Sequence, residues 1–415
     1  MSIERIKVAI FSDESTENVC SLIRLLDPLG QASDAVEILW AYDATTKQAR
    51  LDFLDRADII VVQRFFAIRE FLPYLERILN CGKPVIYETD DLLHLIPEGH
   101  PRYQLSHDNR FPLLSFVAQC DAVTVSTNQL RSAYLNYNQN IYVLPNLINE
   151  ERWGLNESTE PRQDAVSRPH IRIGFAGTST HLDDLSIIEE VLARIDEKYG
   201  DRVSFTFLGC APHNWRNLTN VIIDESFIAY PSFTQRLRRE RFDIGLAPLR
   251  DNFFNSCKSN LKFLEYSACG IAGVYSDVLP YRESVRNGQT GILVKNEPLE
   301  WFKAIEMLLQ NKALCQTMAR AARNVVASHY SLAPRAFEYV EVYRCAIDRA
   351  HTDRPRHNKA VSLSWKGFVH YEAEARKLKS ELSWLTDRTA YKLYKQARKI
   401  LKWFLRQFRI GPKCH

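Results

Sequence analysis

The 415-residue chain has no run of about twenty apolar residues, the length a membrane-spanning helix requires. Its first residues, Met1-Ser2-Ile3-Glu4-Arg5-Ile6-Lys7, lack the apolar stretch of a signal peptide, so a cytoplasmic protein is expected. Nine cysteines are scattered without a C-x-x-C pair, which argues against a zinc framework or a disulfide scaffold. Reduced and mostly buried thiols are expected instead. No repeat of solenoid period and no low-complexity tract is present. A basic excess is missing from the body: residues 351–415 hold 16 Lys and Arg against 5 Asp and Glu, a balance of +11. The total is +4, so residues 1–350 carry −7, which disfavours a nucleic-acid groove there.

Hydrophobic residues make up 46% of the chain, ample for more than one core. Short apolar runs alternate with helical spacing: Ile6–Phe11, Val36–Trp40, Asp58–Val62, Pro84–Tyr87, Ala122–Val125 and Ile141–Leu144. Near-continuous apolar strands belong to a parallel sheet covered on both faces. Residues 154–170 are polar and aperiodic with two prolines, as in a linker, and the alternation then restarts at Ile171. The expected fold is α/β, with two Rossmann-like doubly wound domains facing across a cleft. The divisions expected are 1–153, a linker at 154–170, a second domain at 171–350 and a basic helical tail at 351–415. Ligands of such sheets bind at the C-terminal ends of the strands.

The most specific segment runs Lys258-Ser259-Asn260-Leu261-Lys262-Phe263-Leu264-Glu265-Tyr266-Ser267-Ala268-Cys269-Gly270, followed by Gly288-Gln289-Thr290-Gly291. It resembles the donor-domain signature of GT-B glycosyltransferases, family 4-like (glycosyl transferases group 1), with its Leu-Glu-x-x-Ala-x-Gly helix. The resemblance implies a nucleoside-diphosphate sugar as donor substrate, no other cofactor, no metal, and retention of configuration. It places Glu265 on the ribose hydroxyls, where a carboxylate can accept charge-assisted hydrogen bonds from a vicinal diol. Where the family often has a further Glu, this chain has Cys257. Lys258 is therefore assigned to the donor phosphates, with Asn260 in the same turn. Lys262 either joins them or lies on a solvated helix face.

A second motif, Gly174-Phe175-Ala176-Gly177-Thr178-Ser179-Thr180-His181, follows a strand and opens a helix. Gly177, Thr178 and Ser179 are expected at the donor, the latter two through backbone N–H groups. His181 is either a ligand of a phosphate or sugar oxygen or a surface residue. The family's Arg-x-x-x-x-Lys pair is absent, which leaves Arg250 and Lys258 as sources of phosphate-neutralising charge. In the first half, Thr89-Asp90-Asp91 ends a strand where the family has His-Asp. The resemblance puts Asp90 near the reacting sugar, and Asp91 is grouped with it as a catalytic candidate or as a cap. The pair lacks the intervening residue of a metal-binding D-x-D.

In the tail, Tyr394, Ala397, Leu401, Phe404 and Phe408 recur at helical spacing among lysines and arginines. Residues 386–415 read as a cationic amphipathic helix for an anionic membrane surface, or as a helix docked on protein. The expected function is sugar transfer to a glycan or lipid-linked acceptor, as in cell-surface polysaccharide synthesis. The alternatives are a non-catalytic GT-B-like subunit and a sugar-nucleotide epimerase relative.

Overall fold

The computed structural model describes residues 5–157 and 170–350, apart from 213, 214, 216–219 and 227, together with residue 352. The tail beyond and most of the expected linker lie outside the described residues.

Two six-stranded parallel sheets form the body. The first contains β1 (Ile6–Ser12), β2 (Val36–Trp40), β5 (Ile59–Gln63), β6 (Val85–Thr89), β7 (Ala122–Val125) and β8 (Ile141–Val143), in the order β2-β1-β5-β6-β7-β8. A small hairpin, β3 (Tyr42–Asp43) with β4 (Gln48–Ala49), stands apart from it. Strands β5 and β6 are buried along their whole length, as their unbroken apolar runs require. The second sheet contains β9 (Ile171–Ala176), β10 (Val203–Leu208), β11 (Val221–Asp224), β12 (Ile244–Ala247), β13 (Ala272–Ser276) and β14 (Ile292–Val294). Its order is β11-β10-β9-β12-β13-β14, the arrangement of a dinucleotide-binding fold with its switch point between β9 and β12.

Each apolar run named in the sequence forms a strand, with ends shifted by a residue or two. The stretch after β5 is less regular than its spacing suggests. Two 3₁₀ turns, Arg64–Ala67 and Arg69–Phe71, precede the helix Leu72–Asn80, because Arg64 adopts a left-handed backbone (φ 51°) that interrupts a helix at its start.

The first sheet is completed from the far end of the chain. Leu332, Ala336, Tyr339, Val340, Tyr343 and Ala346 pack into one core with Ile6, Val8, Ile10, Val61 and Ile86 of the first domain. Residues 337–350 are helical and so cover the first sheet, which corrects their sequence-based assignment to the second domain. Their amphipathic period specifies a buried face but not which sheet it buries. The preceding helices, Pro298–Gln310 and Lys312–His329, stay with the second domain, where Trp301, Ile305, Leu308 and Met318 join its core.

Candidate active site

All strands of the first sheet run parallel, so the residues following β1, β5, β6 and β7 share one edge. These are Asp13, Arg64, Asp90 with Asp91, and Ser126 with Thr127. The loop before the helix Leu261–Ala268 of the second domain touches that edge. Thr127 Oγ1 donates to the Cys257 carbonyl at 2.9 Å while accepting from Leu130 N at 3.2 Å, so it also caps its own helix. Asn146 Nδ2 donates to Ser259 Oγ at 2.9 Å. Lys258 Nζ stands 3.7 Å from Asp91 Oδ1 and 4.8 Å from the centroid of the Phe254 ring. Of the sequence-named residues, Lys258 and Asp91 meet here, across the cleft between the domains.

Asp90 donates nothing and accepts from two sides: from Arg64 Nη1, and from Cys20 Sγ at 3.5 Å. Burial pushes its carboxyl up, but Arg64 and Arg24 and the bonds from Arg64 and Cys20 outweigh it, so the net shift is downward. Asp91 Oδ2 lies 3.6 Å from the same Arg64 Nη1. Each aspartate thus has a cation as partner, and Asp90 has the Cys20 thiol besides. Arg64 was not recognised from sequence; its signal is a lone arginine ending a buried strand, which needs acids at the same edge.

Beneath this layer a second arginine is fully buried. Arg24 Nε donates to Glu88 Oε1 at 2.7 Å, and its Nη1 donates to the Leu144 carbonyl at 2.5 Å and to Asn146 Oδ1 at 2.9 Å. Gln63 Nε2 donates to the other oxygen of Glu88 at 3.0 Å, and Gln63 Oε1 accepts from Ser12 Oγ at 2.8 Å. This chain of bonds joins β1, β5, β6 and the crossing segment at Asn146, which in turn holds Ser259. Such a network is expensive to leave half-satisfied, and it fixes the edge rigidly.

In the second domain, Glu265 is 1% exposed. Its Oε2 accepts from Lys262 Nζ at 3.1 Å and its Oε1 from the Tyr230 hydroxyl at 3.2 Å. Lys262 is thus committed to Glu265 rather than to a solvated face. Tyr230 was missed, since its 35-residue separation from Glu265 leaves no local trace. Asn260 caps the helix by position, yet its Nδ2 donates to Ser284 Oγ at 2.7 Å.

The glycine loop is formed as expected after β9. Gly177 N donates to the Leu208 carbonyl at 2.9 Å. Gly209 (φ 94°) lies so close that a Cβ there would sit 2.4 Å from the Gly177 carbonyl oxygen. Thr178 and Thr180 hydroxyls bond each other at 2.8 Å, and Ser179 starts a 3₁₀ turn. His181 Nδ1 meets Asp184 Oδ2 at 2.9 Å, and burial lowers its pKa against that bond. A carboxylate only accepts, so the hydrogen sits on Nδ1 and leaves Nε2 an acceptor, suited to a sugar hydroxyl. Arg250 turns to its own domain: Nε lies 2.7 Å from Asp183 Oδ2, and Nη2 donates to Ser186 Oγ at 2.7 Å. Of the two cations named for the phosphates, Lys258 is the one that contacts the first domain.

Two facing Rossmann-like domains with this cleft constitute the GT-B fold. Residues 170–311, which include the Gly177 loop and the Lys258–Glu265 segment, match the family model described as Glycosyl transferases group 1. No curated protein matches the chain. Among solved structures, HepE from Anabaena in complex with UDP and glucose is 14% identical, covers 82% of this chain and 100% of its own, and has a TM-score of 0.59. A glycosyltransferase from Rickettsia africae is 12% identical over 83% of this chain and 99% of its own, with a TM-score of 0.56. Sucrose-phosphate synthase from Thermosynechococcus elongatus is 13% identical over 82% and 98%, also at 0.56. At these identities the likeness shows the fold, and the fold is the one the sequence resemblance implies.

Proposed function

We propose that this protein is a glycosyltransferase that moves a sugar from a nucleoside-diphosphate sugar to a glycan or lipid-linked acceptor. The observation that carries the reading is the segment Lys258–Glu265, which lies inside the matched family segment and meets the cleft. Glu265 would receive the ribose diol in exchange for its bonds from Lys262 and Tyr230, and Lys258 would face the diphosphate. The Gly177–Ser179 turn would lend backbone N–H groups to the same anion. HepE, of the same fold, was solved with UDP and glucose, which makes uridine nucleotides the first donors to try.

A thermal-shift screen against sugar nucleotides tests this reading, since a ligand at 100 times its dissociation constant stabilises by about 2.7 kcal/mol. Glu265→Gln is expected to weaken nucleotide binding by about 1.5–3 kcal/mol, read by calorimetry, without loss of fold. Unchanged affinity would remove Glu265 from the donor site. Metal independence predicts full turnover in excess chelator. A non-catalytic subunit is favoured by two features, the buried Cys257 thiol in place of a family carboxylate and the missing Arg-x-x-x-x-Lys pair. Such a subunit would bind donor and release no nucleoside diphosphate.

The tail, outside the described residues, is proposed as a peripheral anchor on the strength of its +11 charge and its aromatic stripe. No helix among the described residues is long and apolar enough to cross a membrane. Retention, implied by the resemblance, leaves the acceptor proton to the departing diphosphate. Inversion requires a protein base.

A further inference from the structure

The loop between β6 and the helix Tyr103–Val117 carries a histidine that no motif singles out. Gly99 (φ 88°) turns the chain there, a conformation that a Cβ disfavours, and His100 follows it. The His100 carbonyl accepts from Tyr103 N at 2.9 Å, which ties the residue to the start of the helix. One ring nitrogen is already engaged: Nδ1 accepts from Arg102 N at 3.0 Å. A nitrogen that accepts carries no hydrogen, so in the neutral ring the proton sits on Nε2. That Nε2–H has no hydrogen-bond partner among the described residues, and the ring is half-buried.

The imidazole faces the second domain. It meets the Phe254 ring edge-on, with 5.6 Å between centroids, and Lys258 Nζ lies 4.8 Å from the centre of that same ring. Phe254 is buried, so the two groups flank a fixed apolar wall. The titratable groups around the imidazole are Lys258 and His181 of the second domain and Asp91 and Arg102 of the first. Burial, then Lys258, bring its pKa down to about 4 against the pull of Asp91, so the ring keeps one charge state from about pH 5 upward.

We propose that His100 is a catalytic residue whose Nε2–H donates to the diphosphate oxygen that departs from the donor sugar, an inference that rests on the transferase reading above. Lys258, assigned to the diphosphate, stands at the same Phe254 ring. A cation and a neutral donor thus converge on one anionic group from opposite domains. In the step, the bond from the anomeric carbon to the diphosphate oxygen breaks, and its electron pair stays on that oxygen. The acceptor oxygen bonds the anomeric carbon on the face that the diphosphate leaves, and its proton goes to the departing diphosphate. His100 keeps its own proton throughout. Because the oxygen gains charge as the bond breaks, the contact is stronger in the transition state than in the bound donor. His181 has the opposite polarity, with its hydrogen turned to Asp184 and Nε2 left as an acceptor.

The test uses the full chain with UDP-glucose, UDP-N-acetylglucosamine and GDP-mannose as donors and a panel of alkyl glycosides as acceptors. With whichever pair reacts, His100→Leu should lower kcat by about 10²–10³-fold, the loss expected for one donor to a developing oxyanion. Donor affinity by calorimetry should stay within about threefold, since the contact matters little before the bond breaks, and this also reports that the variant is folded. His100→Gln, whose amide N–H reaches where Nε2–H stood, should return to within about tenfold of wild type. The His100→Leu deficit should be equal at about pH 6 and about pH 8, as a ring that does not titrate there requires. It should also persist with deoxy analogues of the donor sugar. A deficit that disappears with one deoxy analogue puts His100 on that hydroxyl and overturns the assignment. So does His100→Leu turnover within about fivefold of wild type, or His100→Gln no better than His100→Leu, and each leaves the transferase reading intact. If His100→Leu fails to fold, His100→Ala against His100→Gln makes the same comparison. A wild-type protein that neither binds nor consumes any donor overturns the transferase reading itself, and the role of His100 with it.

Discussion

Asp13 and Asp90 follow strands of one sheet, are both largely enclosed, and titrate in opposite directions. The difference lies in their partners, since Asp90 takes the Arg64 guanidinium directly and Asp13 does not. The stability consequence has opposite signs. Asp90, with its folded pKa depressed, contributes stability that is present above the unfolded value near 4 and is lost as pH falls through the folded one. Asp13, with its folded pKa raised to about 6, favours the folded state fully only below about pH 4, and that contribution disappears as pH rises through 6. Ionised Asp13 therefore costs the protein on the order of 2–3 kcal/mol at neutral pH. Asp13→Asn should raise stability in urea unfolding at pH 7 by up to that amount, and the gain should vanish at pH 4. Equal stability at both pH values would show that the carboxyl is not held in a desolvating site.

The element that matters most is the stretch from Asn252 to Ala268. Asn252 caps the short helix Phe253–Ser256 through Asn255 N at 2.8 Å, and the turn after it presents Cys257, Lys258 and Ser259 to the first domain before the helix Leu261–Ala268 begins. Lys258 lies over Phe254, and His100 of the first domain meets the same ring edge-on at 5.6 Å. Burial, then the Lys258 charge, lower the His100 pKa to about 4, so this imidazole is neutral at pH 7. The stretch is thus both the proposed donor loop and the contact with the first domain. Lys258→Ala should weaken a nucleoside-diphosphate sugar by about 10- to 100-fold and the free nucleoside hardly at all, because the charge has nothing to hold in a nucleoside. Equal losses in calorimetry for both ligands would show that Lys258 acts through the contact with Asp91.

At the scale of the whole molecule, the chain begins in the first domain, builds the second, and returns to finish the first. Tyr339, Val340 and Tyr343 are buried in the first core, so the described body extends to about residue 350. Deleting residues 386–415 leaves that body whole. Such a truncated protein should transfer sugar to a soluble acceptor at the wild-type rate and lose binding to anionic vesicles. Salt should weaken wild-type vesicle binding, at about 1 kcal/mol per well-placed Lys or Arg under low screening. Flotation that shows no association of the full chain with anionic vesicles at low salt would reject the anchor.

The strands, the two-sheet division and the cleft edge were legible in the sequence, because a buried parallel strand must be an unbroken apolar run and polar residues at its C-terminal end must face outward. Glu265 and Asp90 were singled out by resemblance to a family signature, with Lys258 and Asp91 taken from the same segments; in the structure Asp90 and Asp91 follow β6 and Lys258 precedes the helix Leu261–Ala268. Tertiary structure alone decided which charges meet. Arg250 and Lys258 look alike in sequence, yet one pairs with Asp183 and the other reaches Asp91 across the cleft. Lys262 reads from sequence as either a phosphate ligand or a solvated lysine and in the structure pairs with Glu265, while Arg24, Arg64 and Tyr230 become partners of acids 64, 26 and 35 residues away. The return of residues 337–350 to the first sheet was equally hidden. Period records that a face is buried, whereas the identity of the surface it covers, and of the partner each charge finds, depends on contacts that only the folded chain makes.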